Sequence, residues 1–311
     1  MDREFRVAEL TADDEPAVIA LCRTALDLPE DAAEAAEIVG RLRDTTGADG
    51  WSPVPRRLTG FLARTGGDRV IGVVLGSLSH RDAAAGHVDL LAVDPAERRR
   101  GVGRALLARV ERALAGLGAG EVLLGGNAPY YAWPGIDVRY TAALCGAAAL
   151  GYEQLPPAWN MTADLRLLSP TEADEKRLAA DGVVVRRAGP ADAAPLAAFA
   201  LANWTPGWAG EITHSIGRER AGCHLALEPD GTPLGFAAYG SSRPSWFGPM
   251  GTTAAARGRG IGSVLLRRCL ADLRAEGYES AQIGWVGPTP FYSLAVGARV
   301  ERVFFRYRKA L

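Results

Sequence analysis

Two short stretches of this 311-residue chain have residue types and spacing suited to gripping a phosphate: "RRRGVGRALL" at Arg98 to Leu107 and "RGRGIGSVLL" at Arg257 to Leu266. Six of their ten positions are identical. Each follows an apolar, strand-like run and leads into a sequence of helical composition. Glycines at such a junction let the backbone approach a ligand, the first N–H groups of the helix point outward, and the helix dipole adds partial positive charge. That combination specifies a phosphate or pyrophosphate cradle. Two other glycine-rich motifs do not fit. A dinucleotide fingerprint needs a third glycine where the chain has Leu106 and Leu265, and a P-loop needs Gly-Lys-Ser/Thr, which occurs nowhere.

Other chemistry is thinly supplied. The histidines His80, His87, His214 and His224 form no HxxxH or HxH pair with a nearby carboxylate, so no metal site is expected. Cys22, Cys145, Cys223 and Cys269 lie far apart and read as buried free thiols. A formal charge of −1 argues against binding nucleic acid or an anionic membrane through bulk charge. The N-terminus is charged where a signal peptide is apolar, and no run approaches the roughly 20 apolar residues of a membrane span. A soluble cytoplasmic protein is expected.

The elements that would carry the two loops alternate between strands and helices, which is the α/β pattern. The first half reads as strand "FRVAEL", a helix opened by Thr11 and reaching about Leu26, a helix from Pro29 to about Arg43, and the loop "TTGADGWSPVPRR". A hairpin "LTGFLART"/"RVIGVVLGSLS", strand "GHVDLLAV", the first loop and its helix, strand "EVLLGG", the irregular "NAPYYAWPGIDV" and an Ala-rich helix to Leu150 complete it. Residues 167–182 are polar and lack aromatics, as a linker would, and their middle could form a short exposed helix. The order then repeats, with Asp13 and Pro16 matching Asp192 and Pro195 at an offset of 179, the loops at 159, and Gly151 matching Gly297 at 146. The falling offset marks two insertions in the first half, the Trp51 loop and the "YYAWPGID" segment.

In that setting, Arg98 to Gly103 after "LLAVDPAE" and Arg257 to Gly262 after "MGTTAA" resemble the acetyl-CoA pyrophosphate loop of the GNAT superfamily of N-acetyltransferases. The order of strands and helices resembles that family over nearly the whole chain, twice. The resemblance implies two tandem domains, residues 1–166 and 183–311, each with a mixed, mostly antiparallel central sheet flanked by helices and splayed into an acetyl-CoA wedge. Coenzyme A is the implied cofactor. The residues implied to hold it are Leu91, Ala92, Val93, Arg98, Arg99, Arg100, Gly101, Val102, Gly103 and Arg104 in the first half. In the second they are Met250, Gly251, Thr252, Arg257, Gly258, Arg259, Gly260, Ile261, Gly262 and Ser263.

The same resemblance implies transfer of an acetyl group to a primary amine of a small molecule. "PFYSLAVGA" resembles the family segment "FYxxxGF", whose tyrosine protonates the departing thiolate, which makes Tyr292 the acid. Gly297 follows five positions later, one more than the commonest spacing, and Ala298 replaces the usual aromatic. The first half has Gly146 where the tyrosine would be, so the second half is favoured as catalytic and the first is either degenerate or separately active. Tyr130, Tyr131 and Tyr140 of the inserted segment are acid candidates that periodicity does not place. Base candidates are His87 and Asp89, spaced to share a strand face with Leu91 and Val93, and Glu211, then His214, in "NWTPGWAGEITH". Trp204 and Trp208 in that segment could face a cationic acceptor, or simply be core. Amino-sugar, aminoglycoside and polyamine acceptors stay open. So does a mycothiol-synthase-like activity, although "IGWVGPTPFY" stands where an acidic, Asn-containing segment is expected. The reading from another class is a non-catalytic acyl-CoA sensor. A monomer or homodimer is expected.

Overall fold

A computed structural model describes residues 5–45 and 56–311, so the Trp51 loop lies outside the described residues. The chain divides into two compact units. One comprises residues 5–45, 56–158 and 304–311, the other residues 159–303.

The first unit contains β1 (Phe5–Glu9), α1 (Glu15–Ala25), α2 (Pro29–Ala33), α3 (Ala35–Arg43), β2 (Leu58–Thr65), β3 (Val70–Leu78), β4 (Ala85–Val93), α4 (Val102–Gly116), β5 (Glu121–Leu124), β6 (Ile136–Asp137), α5 (Thr141–Ala149) and the start of β7 (Glu153–Asp164). Strands β1 to β4 form an antiparallel meander, and β5 joins β4 in parallel. Val102, Leu106, Val110 and Leu114 recur every fourth residue along α4 and pack on one sheet face. Val18, Leu21, Cys22 and Ala25 make the corresponding stripe of α1, which packs with Ile38, Val39 and Leu42 of α3 against the other face.

The second unit holds the rest of β7, α6 (Glu172–Ala180), β8 (Val184–Arg187), α7 (Ala193–Asn203), α8 (Pro206–Ile216), β9 (Gly222–Leu227), β10 (Pro233–Tyr239), β11 (Trp246–Thr252), α9 (Ile261–Ala275), β12 (Ser280–Ile283), α10 (Thr289–Val296) and the start of β13 (Arg299–Ala310). Its strands run β7-β12-β11-β10-β9-β8, with β12 parallel to β11. The α/β class, the mixed sheets flanked by helices and the internal repeat are as the sequence led us to expect.

Three features differ from the sequence reading. The stretch 167–182 is no bare linker: α6 buries Leu178 completely, and its Asp174 and Glu175 pair with Arg267 and Arg268 of α9. The twelve-residue strand β7, interrupted by Pro156 and Pro157, had no sequence signal of its own. The end of β13 belongs to the first unit, where Arg308 to Ala310 pair antiparallel with Leu123 to Glu121.

Candidate active site

In the first unit, β4 and β5 stay together only while Ala85 to Val88 face Glu121 to Leu124. Gly125 and Gly126, both at φ 76, then turn the chain away, and the last bond is Gly125 N–H to the Val88 carbonyl at 2.8 Å. The rest of β4 keeps a partner on its β3 side alone. Asp94 N–H donates to the Ile71 carbonyl, so the alternation of an antiparallel ladder turns the backbone groups of Leu91 and Val93 toward the edge that β5 has left. A cavity of about 630 Å³ opens there. Leu91, Arg99, Gly101, Gly103 and Arg104 line one side, and Leu124, Ile136, Asp137 and the small residues of α5 line the other.

The first loop faces this cavity with little in front of it. Gly101 lies at φ 85, where a side chain is strained, and a methyl group added to it would find nothing within 4 Å. One added to Gly103 would touch only Val93, at 3.7 Å. Of the three arginines, Arg99 lines the cavity, whereas Arg98 is spent on structure, bonding the Ala25 carbonyl at 2.8 Å and pairing with Asp27 at 3.0 Å. Arg100 pairs with Glu97 at 3.1 Å. Val102 and Ala92 are buried in the cores on opposite faces of the sheet. The open start of a fifteen-residue helix, with Arg99 and Arg104 beside it, fits a ligand carrying linked phosphates.

Asp89 sits at a β-bulge. Leu75 pairs with Leu90 and Gly76 with Val88, which leaves Asp89 as the extra residue of β4. The bulge overturns the expectation that His87 and Asp89 share a face with Leu91 and Val93. One inserted residue exchanges the faces beyond it, so Leu91 and Val93 pack toward α4 while Asp89 bonds Ser77 on the opposite side. Asp89 is buried, lines the cavity, and accepts from Ser77 Oγ at 2.6 Å through Oδ2, while Oδ1 has no partner among the described residues. Burial pushes its carboxyl up to about 7, against the opposing pull of the Ser77 hydroxyl and the Arg56 charge. His87 is buried too, with Nδ1 2.7 Å from the Gly125 carbonyl, and burial pushes it down to about 4. It pins the point where β5 departs.

The sequence reading missed several residues of this site. Asn127 bonds Ser77, and Asp31 on α2 accepts from both Tyr140 Oη at 3.0 Å and Trp133 Nε1 at 3.1 Å, fixing two aromatic side chains of the cavity wall. A serine within the apolar run "VIGVVLGSL" was the available signal for Ser77. Cys145 departs from the expectation for the cysteines, being exposed and lining the cavity while the other three are buried.

The second unit repeats the splay. Trp246 and Phe247 face Gln282 and Ile283, and Gly284 N–H closes the pairing on the Phe247 carbonyl at 3.0 Å. Gly258 and Gly260 lie at φ 79 and 84, and a methyl group added to Gly258 would find nothing within 4 Å. A methyl group on Gly260 would come 2.6 Å from Arg177 Nη2, and Arg177 donates to the Arg259 carbonyl at 3.0 Å. One on Gly262 would meet Met250 Cε at 3.4 Å and Phe291 Cζ at 3.5 Å, and one on Gly251 would come 2.5 Å from Trp204. Arg259 pairs with Glu228, Arg257 is exposed, Ile261 is in the core, and Thr252 and Ser263 are partly buried. Trp204 and Trp208 are partly buried, stack with centroids 5.5 Å apart, and both meet Phe236 edge-on. Tyr292 is buried edge-on to Phe247 and Phe291, and burial holds its hydroxyl above the usual phenol range. Glu211 and His214 are buried on α8.

A sheet that splays beside a glycine loop and a helix start, built twice, defines an acyltransferase class. Both copies match the sequence model of the acetyltransferase (GNAT) family, over residues 29–130 and 193–291, and the chain belongs to that family. Among solved structures, it is similar to the GCN5-related glucosamine N-acetyltransferase region of a fungal multi-domain GH3 β-N-acetylglucosaminidase, with TM-score 0.75 and 18% identity over 99% of this chain and 38% of that one. It is also similar to a tandem GNAT protein from the clavulanic acid biosynthesis pathway, with TM-score 0.69 and 22% identity over 99% of this chain and 98% of that one. For a GCN5-related N-acetyltransferase from Sphaerobacter thermophilus the values are 0.65 and 20%, over 100% and 96% of the two chains. At these identities the likeness is one of fold. No curated protein matches the chain. Among the described residues no helix is long and apolar enough to cross a membrane.

Proposed function

We propose that the chain is an acetyl-CoA-dependent N-acetyltransferase acting on a primary amine of a small molecule, with its reaction site in the first unit. The observation that carries this is one cavity lined by both the open glycine loop and Asp89, a buried carboxylate whose Oδ1 has no partner among the described residues. The assignment moves the site away from the second half, which the Tyr292 motif favoured. There the Arg177 guanidinium stands beside Gly260 and donates to the Arg259 carbonyl, and Tyr292 is buried against Phe247 and Phe291.

Acetyl-CoA, the acyl donor generally used by this family, supplies an acetyl thioester when bound. Arg99, Arg104 and the first N–H groups of α4 would hold its phosphates. The backbone groups of Leu91 and the N–H of Val93 would bond its amide-bearing arm along the vacated edge of β4, the Val93 carbonyl already accepting from Arg98. Asp89 Oδ1 would take the proton of the acceptor amine before or during attack, a step an alkylamine with a pKa around 10 needs at neutral pH. With its carboxyl near 7, Asp89 is about half charged there, poised both to accept the proton and to release it to solvent.

The test is thiol release from acetyl-CoA in the presence of a panel of amino sugars, aminoglycosides and polyamines. Amine-dependent release by the wild type, lost in Asp89→Asn, is the expected result. Coenzyme A binding without release from any amine would favour the sensor reading.

A further inference from the structure

Asp89 does not stand alone in the core of the first unit. Ser77 and Asn127 are both fully buried, and neither belongs to the loop or the cavity wall. Asn127 Nδ2 lies 2.8 Å from Ser77 Oγ and 2.9 Å from the Leu78 carbonyl, and Asn127 Oδ1 faces His80 N–H at 3.4 Å. A backbone carbonyl can only accept, so the amide nitrogen must be the atom turned toward Leu78 and Ser77. Ser77 Oγ therefore accepts from Asn127, and its single proton is left for Asp89 Oδ2, 2.6 Å away. The chain runs one way, from a backbone-anchored amide through a hydroxyl to one carboxylate oxygen.

We propose that Asn127 and Ser77 are positioning residues that tie down Oδ2 of Asp89 and so leave Oδ1 as its proton-accepting oxygen. The proposal rests on the reading of Asp89 as the base and adds what aims it. The bulge alone would free the side chain to swing, since an extra residue has no cross-strand neighbour to pack against. The hydroxyl fixes its direction and also stabilises its charged form.

The experiment follows the Asp89 carboxyl by carbon-13 NMR titration in the full chain, which needs no acceptor. In the wild type it should titrate near 7. Ser77→Ala removes the donor and should move the midpoint upward by about one pH unit, the size of one hydrogen bond to a charged group. Ser77→Thr keeps the hydroxyl and should restore it. Arg56, Arg99, Arg104 and Asp137 are the charged groups around this carboxyl and are the same in all these variants. His87, pushed down to about 4, stays neutral through the window. Should Ser77→Ala fail to fold, Asn127→Leu, which removes the donor that orients the hydroxyl, is read in the same way with a smaller upward shift. An unmoved midpoint in a folded variant overturns the proposal and leaves the base reading intact. Full turnover in Asp89→Asn overturns the base reading, and the proposal with it, whatever the titration shows.

Discussion

Gly101 and Gly260 hold the same left-handed conformation at the start of two fifteen-residue helices, yet a methyl group on the first would touch nothing and one on the second would meet Arg177. The backbone of the two copies has been kept where the surroundings have not. The glycines of the second loop are still required, because a strand-to-helix turn at positive φ needs them whether or not a ligand sits in front. What differs at the two helix starts is one side chain distant in sequence, the Arg177 guanidinium beside Gly260. The same contrast holds for the protic groups. Asp89 lines a cavity and has one oxygen without a partner among the described residues, while the Tyr292 ring is packed between two other aromatics.

Three experiments break or sharpen this contrast. The largest effect is expected for Asp89→Asn, which should lower turnover by about a hundredfold to ten-thousandfold, as for loss of a positioned base. The same variant should melt higher at alkaline pH. The folded carboxyl has a raised pKa, so it holds its proton more tightly than in the unfolded chain, and its burial becomes a cost as pH climbs from about 4 to about 7. Asparagine removes that cost, so the gain over wild type should be small near pH 4 and level off above 7. A gain that does not vary with pH would contradict the buried, titrating carboxyl.

Coenzyme A comes next. At a hundredfold excess over its dissociation constant it should stabilise the wild type by about 2.7 kcal/mol. Gly101→Asp should abolish that and Gly260→Asp should leave it, both variants carrying the same strain at positive φ. The reverse pattern would return the cofactor to the second unit. The smallest effect is expected for Tyr292→Phe. Turnover should stay within about twofold of wild type, since a group outside the reaction contributes none of the hundredfold or more of a general acid. A loss of that larger size would restore the second unit as catalytic.

The repeat, both loops and most helices were legible because local physics wrote them: glycines at the turns, and apolar stripes such as Val18, Leu21, Cys22 and Ala25. The site was legible only to its strand. Asp89 could be picked out, but its direction depends on a single-residue bulge that alternation cannot reveal, because a strand with an extra residue looks like a longer strand. Ser77 lies inside an apolar run and Asn127 in an irregular one, and nothing local ties either to Asp89. The docking of α6 was hidden for a related reason, since residues 167–182 read as a linker from their polarity while their fixing comes from Asp174 and Glu175 meeting arginines 93 residues away.

The end of β13 sets a clock on the synthesis of this protein. Phe304 and Phe305 pair with Asp137 and Ile136, two residues of the cavity wall, and Lys309 joins Glu111 across 198 residues of chain. At translation rates of about 5–20 residues per second, those partners leave the ribosome roughly 10–40 s apart. For all that interval the first unit has β5 with one edge unpaired and its cavity wall unsupported. A chain cut between the two units would thus not yield a working half. The first unit reaches its finished form only after the second has been made.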